Sequence, residues 1–154
     1  MPDTLSPAIE APIAVIDTQV VMDWLVFAEP SIRPLTAAIE SGALRWVGTA
    51  PMQAELLHVL GRGVAAERRP DLELIDRSFA RYCQQHTAEP PPVQRLLCRD
   101  PDDQMFIDLA VAVRARWLIS RDRAVLALAK RARAFELQIL TPAAWMTQQP
   151  AGLS

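Results

Sequence analysis

The sequence predicts an α/β domain in which a mostly parallel sheet is flanked by helices on both sides. Three observations carry this. Short apolar runs at residues 13–16, 44–47, 117–120 and 136–140 alternate with amphipathic helical stretches across short connections. The first run is apolar at every position, as a central strand buried on both faces is. Acidic residues close the strand-like runs or open the helices, and the crevice beyond the carboxyl ends of a parallel sheet is where such folds hold ligands.

Each element has a local reason. Residues 1–12, with Pro2, Pro7 and Pro12, read as a flexible tail. Residues 13–16 form a strand closed by Asp17, and a helix follows over 18–27 with Val20, Val21, Trp24 and Leu25 as its apolar stripe. A second helix begins near Pro34 and stops at Gly42, a favoured residue just past a helix end. After the strand at 44–47, a third helix over 51–60 ends at Gly61-Arg62-Gly63. Residues 71–85 read as an amphipathic helix, followed by a Glu89-Pro90-Pro91-Pro92 loop. A fifth helix over 102–114 leads into the strand at 117–120, and a sixth covers 122–133. After the last strand, Thr141-Pro142 opens a short terminal helix with a capping pair. Residues 149–154 read as a frayed end, which leaves one domain over 13–148.

Composition narrows the function classes. With 51% hydrophobic and 22% charged residues, the 154-residue chain has the make-up of a folded domain and not of a disordered one. The net charge of −2 gives no general attraction to nucleic acid, but Arg114, Arg116, Arg121, Arg123, Lys130, Arg131 and Arg133 fall in one stretch whose only acid is Asp122. Basic surroundings around an acidic centre suit a polyanion. Two cysteines, Cys83 and Cys98, are too few for a disulfide framework or a zinc site and read as reduced thiols. The first dozen residues do not read as a secretory signal, and no run approaches the roughly 18 apolar residues of a membrane span. The expected location is therefore cytoplasmic, with no membrane partner.

The candidate chemistry lies in the acids. Asp17, Asp102, Asp103 and Asp122 stand where a helix cap would, and a cap is the plain alternative role for each. Glu55 falls among Met52, Leu56, Val59 and Leu60, the apolar side of its helix, where a carboxylate is costly unless Arg62, His58 or a metal ion pairs with it. Carboxylates at several strand and helix ends around one crevice point to a site for hard divalent cations and to phosphodiester chemistry. His58 and His86 are isolated, Gly-rich phosphate loops are absent, and Ser120 has no His-Asp arrangement beside it in sequence.

The segments Ile13-Ala14-Val15-Ile16-Asp17-Thr18, Glu55-Leu56-Leu57-His58-Val59-Leu60, Arg99-Asp100-Pro101-Asp102-Asp103, Leu118-Ile119-Ser120-Arg121-Asp122 and Ile139-Leu140-Thr141-Pro142-Ala143 resemble the PIN-domain nucleases, and specifically the PIN-family toxins of bacterial toxin–antitoxin pairs. The likeness runs from about residue 13 to 146. It implies a three-layer α/β/α fold and a Mg²⁺- or Mn²⁺-dependent endoribonuclease with one or two ions per site. It places the catalytic and metal-binding acids at Asp17, Glu55, Asp103 and Asp122, with Thr18, Asp100, Asp102, Ser120 and Arg121 as supporting or substrate-contacting residues. It also implies an RNA substrate and a cognate antitoxin, and a homodimer. The contiguous Leu25-Val26-Phe27 run adds a reason for self-association, because it cannot all face one core. The chain departs from the family pattern at Gln19, where many relatives have Asn, and at Arg114-Ala115-Arg116, where Gly and a small or acidic residue are usual.

Two rivals use similar residues. One is a catalytically silent PIN-like module that binds RNA or protein. The other is a phosphotransfer or hydrolase domain of the doubly wound type. A haloacid-dehalogenase-like site wants a second Asp where Gln19 stands, and a receiver wants an acidic pair near the first strand that residues 11–16 lack.

Overall fold

The apolar runs find cover in a parallel sheet with helices on both faces. The computed structural model of the protein describes residues 11–87 and 95–149. The expected tail over 1–12, the 89–92 loop and the frayed end over 149–154 fall wholly or mainly outside them. β1 (Ile13–Ile16), β2 (Arg45–Gly48), β3 (Cys83–Gln85), β4 (Trp117–Ile119) and β5 (Gln138–Leu140) pair in the order β3-β2-β1-β4-β5, every pair parallel. Successive strand residues point to opposite faces. Ala14, Ile16, Trp46, Trp117, Ile119 and Leu140 therefore enter one core, and Val15, Val47, Leu118 and Ile139 enter the other.

The first core is covered by α1 (Thr18–Leu25), α2 (Arg33–Ser41), α3 (Ala50–Gly61), α4 (Leu72–Tyr82) and α8 (Pro142–Gln148). The second is covered mainly by α5 (Gln104–Ala112), α6 (Arg123–Leu126) and α7 (Ala129–Ala132). The division follows from handed crossovers. The chain walks from β1 outward to β3, returns to β4 and walks the other way, so right-handed connections change face. The result is the three-layer α/β/α fold, and its reversal of strand order opens a crevice between the carboxyl ends of β1 and β4. Among the described residues, no helix is long and apolar enough to cross a membrane.

Three expectations are corrected. The helix read over 71–85 ends at Tyr82, and Cys83–Gln85 form a fifth strand, with Trp46 opposite Cys83 and Gly48 opposite Gln85. Ile75 and Phe79 carry the helical apolar period, while Cys83 turns inward beside Gly48. A Cβ on Gly48 would lie 2.8 Å from Cys83 Sγ, so the strand docks because that residue has no side chain. The helix read over 122–133 is two short helices with a tightened turn between them, where Leu128 N–H donates to Val125 C=O at 3.0 Å. Val125, Leu128 and Ala132 are all buried across the break, so their spacing hides it. The helix read over 102–114 starts at Gln104 after a 3₁₀ turn, Pro101–Asp103, and ends at Ala112, with Arg114 in the left-handed region at φ 55°.

The Leu25-Val26-Phe27 run is half-buried by the chain itself, packed against the first core, with the Arg68 guanidinium 5.2 Å from the Phe27 ring centre. It does not form the bare apolar patch that contiguity suggests.

Candidate active site

β1 delivers Asp17 to the crevice and β4 delivers Ser120. Asp17 leaves the strand extended (φ −80°, ψ 172°), and its Oδ1 accepts the Val20 N–H at 3.0 Å, capping α1. Its Oδ2 accepts the hydroxyl of Ser120, a side chain with no exposed surface. The Ser120 Oγ in turn accepts the Asp122 N–H at 2.9 Å. Asp122 caps α6 by accepting the Ala124 N–H at 2.8 Å. One buried hydroxyl thus ties the acid after β1 to the acid after β4.

Glu55 reaches the same place from α3. Its partner is neither Arg62 nor His58 but the Thr18 hydroxyl, which donates to Oε2 at 2.7 Å. The Asp-Pro-Asp-Asp segment enters from the other side. Asp100, not Asp102 or Asp103, does the capping: its Oδ1 accepts the Asp102 N–H at 3.0 Å and opens the 3₁₀ turn. Asp102 is exposed and is not one of the three acids whose oxygens converge. Gln104 pins the segment before this turn, accepting the Cys98 N–H at 2.7 Å and donating to Leu96 C=O and Asp108 at 2.9 Å each. Asp108 also takes Arg95 in an ion pair, which gives it a local structural role.

Asp103 makes no cap bond, and its Oδ2 is buried without a hydrogen-bond partner. One oxygen each from Asp100, Asp103 and Asp122 lies within 4.8 Å of the other two. Asp17, Thr18, Gln19, Glu55, Asp103, Arg121 and Asp122 line one cleft of about 390 Å³, walled on the apolar side by Met22, Val59, Val64 and Phe106. The cleft lies at the crevice where the strand order reverses.

The electrostatics follow from this crowding. The Asp103 carboxyl is pushed up to about 7, first by burial and then by the charges of Asp122, Asp100 and Asp17, with a hydrogen bond to Asp122 in the same direction. Burial also raises Asp17; the Ser120 hydroxyl and the Val20 N–H oppose the rise, and the charges of Asp122 and Asp23 add to it. Carboxylates that converge in this way form a donor set short of cations. Hard oxygen donors of this kind suit Mg²⁺ or Mn²⁺, and the unpartnered Asp103 oxygen is free to be a ligand.

Comparison with known proteins bears on this arrangement. The family model described as PIN domain matches residues 14–124, which include every acid named here. The chain belongs to the PIN domain family. A search of curated proteins gives no match. PIN domains are generally nucleases and typically use divalent metal ions, and the acidic cluster in this chain has the composition such an ion takes.

One residue near the cleft was not singled out as a site candidate by its position in the sequence. Asp23 on α1 is only 4% exposed and pairs with Arg121, while its Oδ1 accepts from Gln19 Nε2 at 3.2 Å. The available signal was an acid on the buried side of an apolar helix, between Val20-Val21-Met22 and Trp24.

Proposed function

We propose that this PIN domain is a metal-dependent endoribonuclease and the toxin of a toxin–antitoxin pair, with residues 13–148 as its single nuclease domain. The observation that carries the reading is the three-oxygen cluster of Asp100, Asp103 and Asp122, two of whose members, Asp103 and Asp122, line one cleft with Asp17 and Glu55.

Asp17, Asp103, Asp122 and Glu55 are the residues to hold one or two Mg²⁺ or Mn²⁺ ions, with Asp100 as a further oxygen donor. When bound, such an ion lowers the pKa of a water and offsets charge on a phosphoryl oxygen. The chain's own residues supply the geometry. Ser120 fixes Asp17 against Asp122, and Thr18 fixes the Glu55 carboxylate. Met22, Val59, Val64 and Phe106 form the apolar wall of the cleft. A single RNA strand laid in the cleft presents its phosphodiester to the acidic end for in-line attack.

The partners follow from the same reading: RNA as substrate, an antitoxin that covers the cleft, and a second copy of this chain. With Leu25-Val26-Phe27 half-buried, support for self-association rests on exposed Leu72 and Leu74 of α4 (41% and 52%) and on Val64 (42%) beside the cleft. Sedimentation at micromolar concentration tests the dimer separately from the chemistry.

Cleavage of a labelled single-stranded RNA tests the activity. Wild-type protein cuts with Mn²⁺ or Mg²⁺ and stops in excess chelator, and Asp103→Asn and Asp122→Asn do not cut while keeping the wild-type circular dichroism. Cleavage that persists in chelator overturns the metal-dependent reading. RNA that is bound but never cut at any metal concentration favours a binding module.

A further inference from the structure

The cleft poses an electrostatic problem that its acids do not solve. Asp17, Glu55, Asp103 and Asp122 line it, and an RNA backbone brings further negative charge. Arg121 is the one cation among the described lining residues. The other basic residues of the 114–133 stretch do not line this cleft.

Arg121 is held in an unusual way. Its side chain is 47% exposed, whereas that of its partner Asp23 is 6% exposed. The Nη2 group donates to Asp23 Oδ2, and the other Asp23 oxygen accepts from Gln19, which itself lines the cleft. The pair joins α1 to the loop after β4, one on each side of the crevice, across 98 residues of chain. The backbone at Arg121 is also fixed on both sides, because Ser120 is bonded to Asp17 and Asp122 caps α6. A guanidinium tied through Nη2 to a buried carboxylate is held at the cleft wall with its other donors open to a phosphate.

We propose that Asp23 is a positioning residue that holds the Arg121 guanidinium at the wall of the acidic cleft, where it receives a phosphate oxygen of the RNA strand. The inference rests on the nuclease reading and adds to it the group that admits a polyanion to an acidic site. Arg121 supplies charge and donors, and Asp23 supplies their direction. The sign of one substitution separates this from a purely structural ion pair. Removing the Asp23 charge alone lessens repulsion of RNA and so tightens binding, whereas loss of positioning weakens it.

The test is binding of a fluorescein-labelled single-stranded RNA by anisotropy, in chelator so that no cleavage occurs, at several salt concentrations. Melting temperatures are recorded for each variant. Arg121→Ala is expected to lose about tenfold in affinity and to reduce the salt slope by about one. Asp23→Asn is expected to lose affinity several-fold, and the double variant to bind like Arg121→Ala alone, because the two residues act as one unit. Arg121→Lys, which keeps the charge, is expected to keep the salt slope and lose affinity several-fold; it carries the test if the Asp23 variant does not fold. Asp23→Asn binding as tightly as wild type or tighter, additive losses in the double variant, or wild-type affinity in Arg121→Lys overturns the positioning role. Wild-type protein that does not bind RNA in chelator or with Ca²⁺ in its place overturns the RNA reading itself, whereas equal binding by wild type and Arg121→Ala overturns the role of Arg121 alone.

Discussion

Removing one charge from the cleft should stabilise the protein in the absence of metal. Asp103 has carboxylate oxygens of both Asp100 and Asp122 within 4.8 Å. At that separation two like charges repel by about 1 kcal/mol in water-like surroundings and by about 3.5 kcal/mol at an effective dielectric of about 20. The Asp103 side chain is only partly buried, so solvent screening holds the total for both neighbours to about 1–3 kcal/mol. Asp103→Asn deletes the charge and leaves an amide that can donate to Asp122. At about 2–4 °C per kcal/mol for a chain of this size, Tm rises by about 2–12 °C at pH 8 in chelator. The pH dependence has a definite sign. The native Asp103 carboxyl keeps its proton up to about 7 while its ordinary value is 3.8, so the native state binds more protons between these limits. Wild-type stability from this group therefore falls as pH rises through that window. At pH 5 wild-type Asp103 is already neutral, and the advantage of the variant shrinks to about 1 °C or less. Mn²⁺ at about a hundredfold excess over its Kd adds about 2.7 kcal/mol to wild type and closes or reverses the gap. Thermal melts followed by circular dichroism at the two pH values, with chelator and with Mn²⁺, measure all of this. A variant that melts at or below wild type in chelator at pH 8, or a gap equal at both pH values, refutes the reasoning.

Three further outcomes follow from packing and capping. Gly48→Ala places a methyl 2.8 Å from Cys83 Sγ and should cost about 1–3 kcal/mol in urea unfolding, with Cys83→Ala in the same chain restoring part of it. Burial pushes the Cys83 thiol up to about 12, so a thiol reagent at pH 8 should label Cys98 in the native protein and both cysteines only in denaturant, as peptide mass mapping would show. Thr141→Ala removes the oxygen that accepts the Ala144 N–H at 3.1 Å at the start of α8 and should cost about 1 kcal/mol, which Thr141→Ser recovers.

Elements whose signal is local were legible. The all-apolar run before Asp17, the Gly42 helix stop and the Thr141-Pro142 cap each act within a few residues, and each is where the sequence puts it. β3 was not legible because its cause is remote. Cys83-Gln84-Gln85 offers little β signal of its own, and what makes it a strand is the bare backbone of Gly48 more than thirty residues earlier. The break between α6 and α7 was hidden for a different reason, since one tightened turn barely disturbs the spacing of Val125, Leu128 and Ala132. Asp23 reads as an interruption of an apolar helix until Arg121, 98 residues on, is brought beside it.

The acids show most clearly what sequence alone leaves undecided. At each one, a helix cap and a place at the cleft are competing roles for the same residue type. They need not compete, because a carboxylate has two oxygens. Asp17 spends Oδ1 on the Val20 N–H and still borders the cleft, and Asp122 and Asp100 each use Oδ1 on a backbone N–H two residues on. Capping therefore has a consequence for the site: it fixes the direction of three carboxylates before any ligand arrives. Asp103 is the exception, with no cap bond and one buried oxygen without a partner. Burial first, and then the charges of Asp122, Asp100 and Asp17, hold its proton up to about 7. An ion that enters the cleft has three aimed carboxylates to meet, and the proton held on Asp103 is one that it displaces. The Asp103 proton should accordingly make ion affinity rise with pH through about 7, a profile that titration calorimetry with Mn²⁺ at pH 5.5, 7 and 8 would resolve. Affinity that is flat across that range would mean that Asp103 is not among the groups the ion deprotonates.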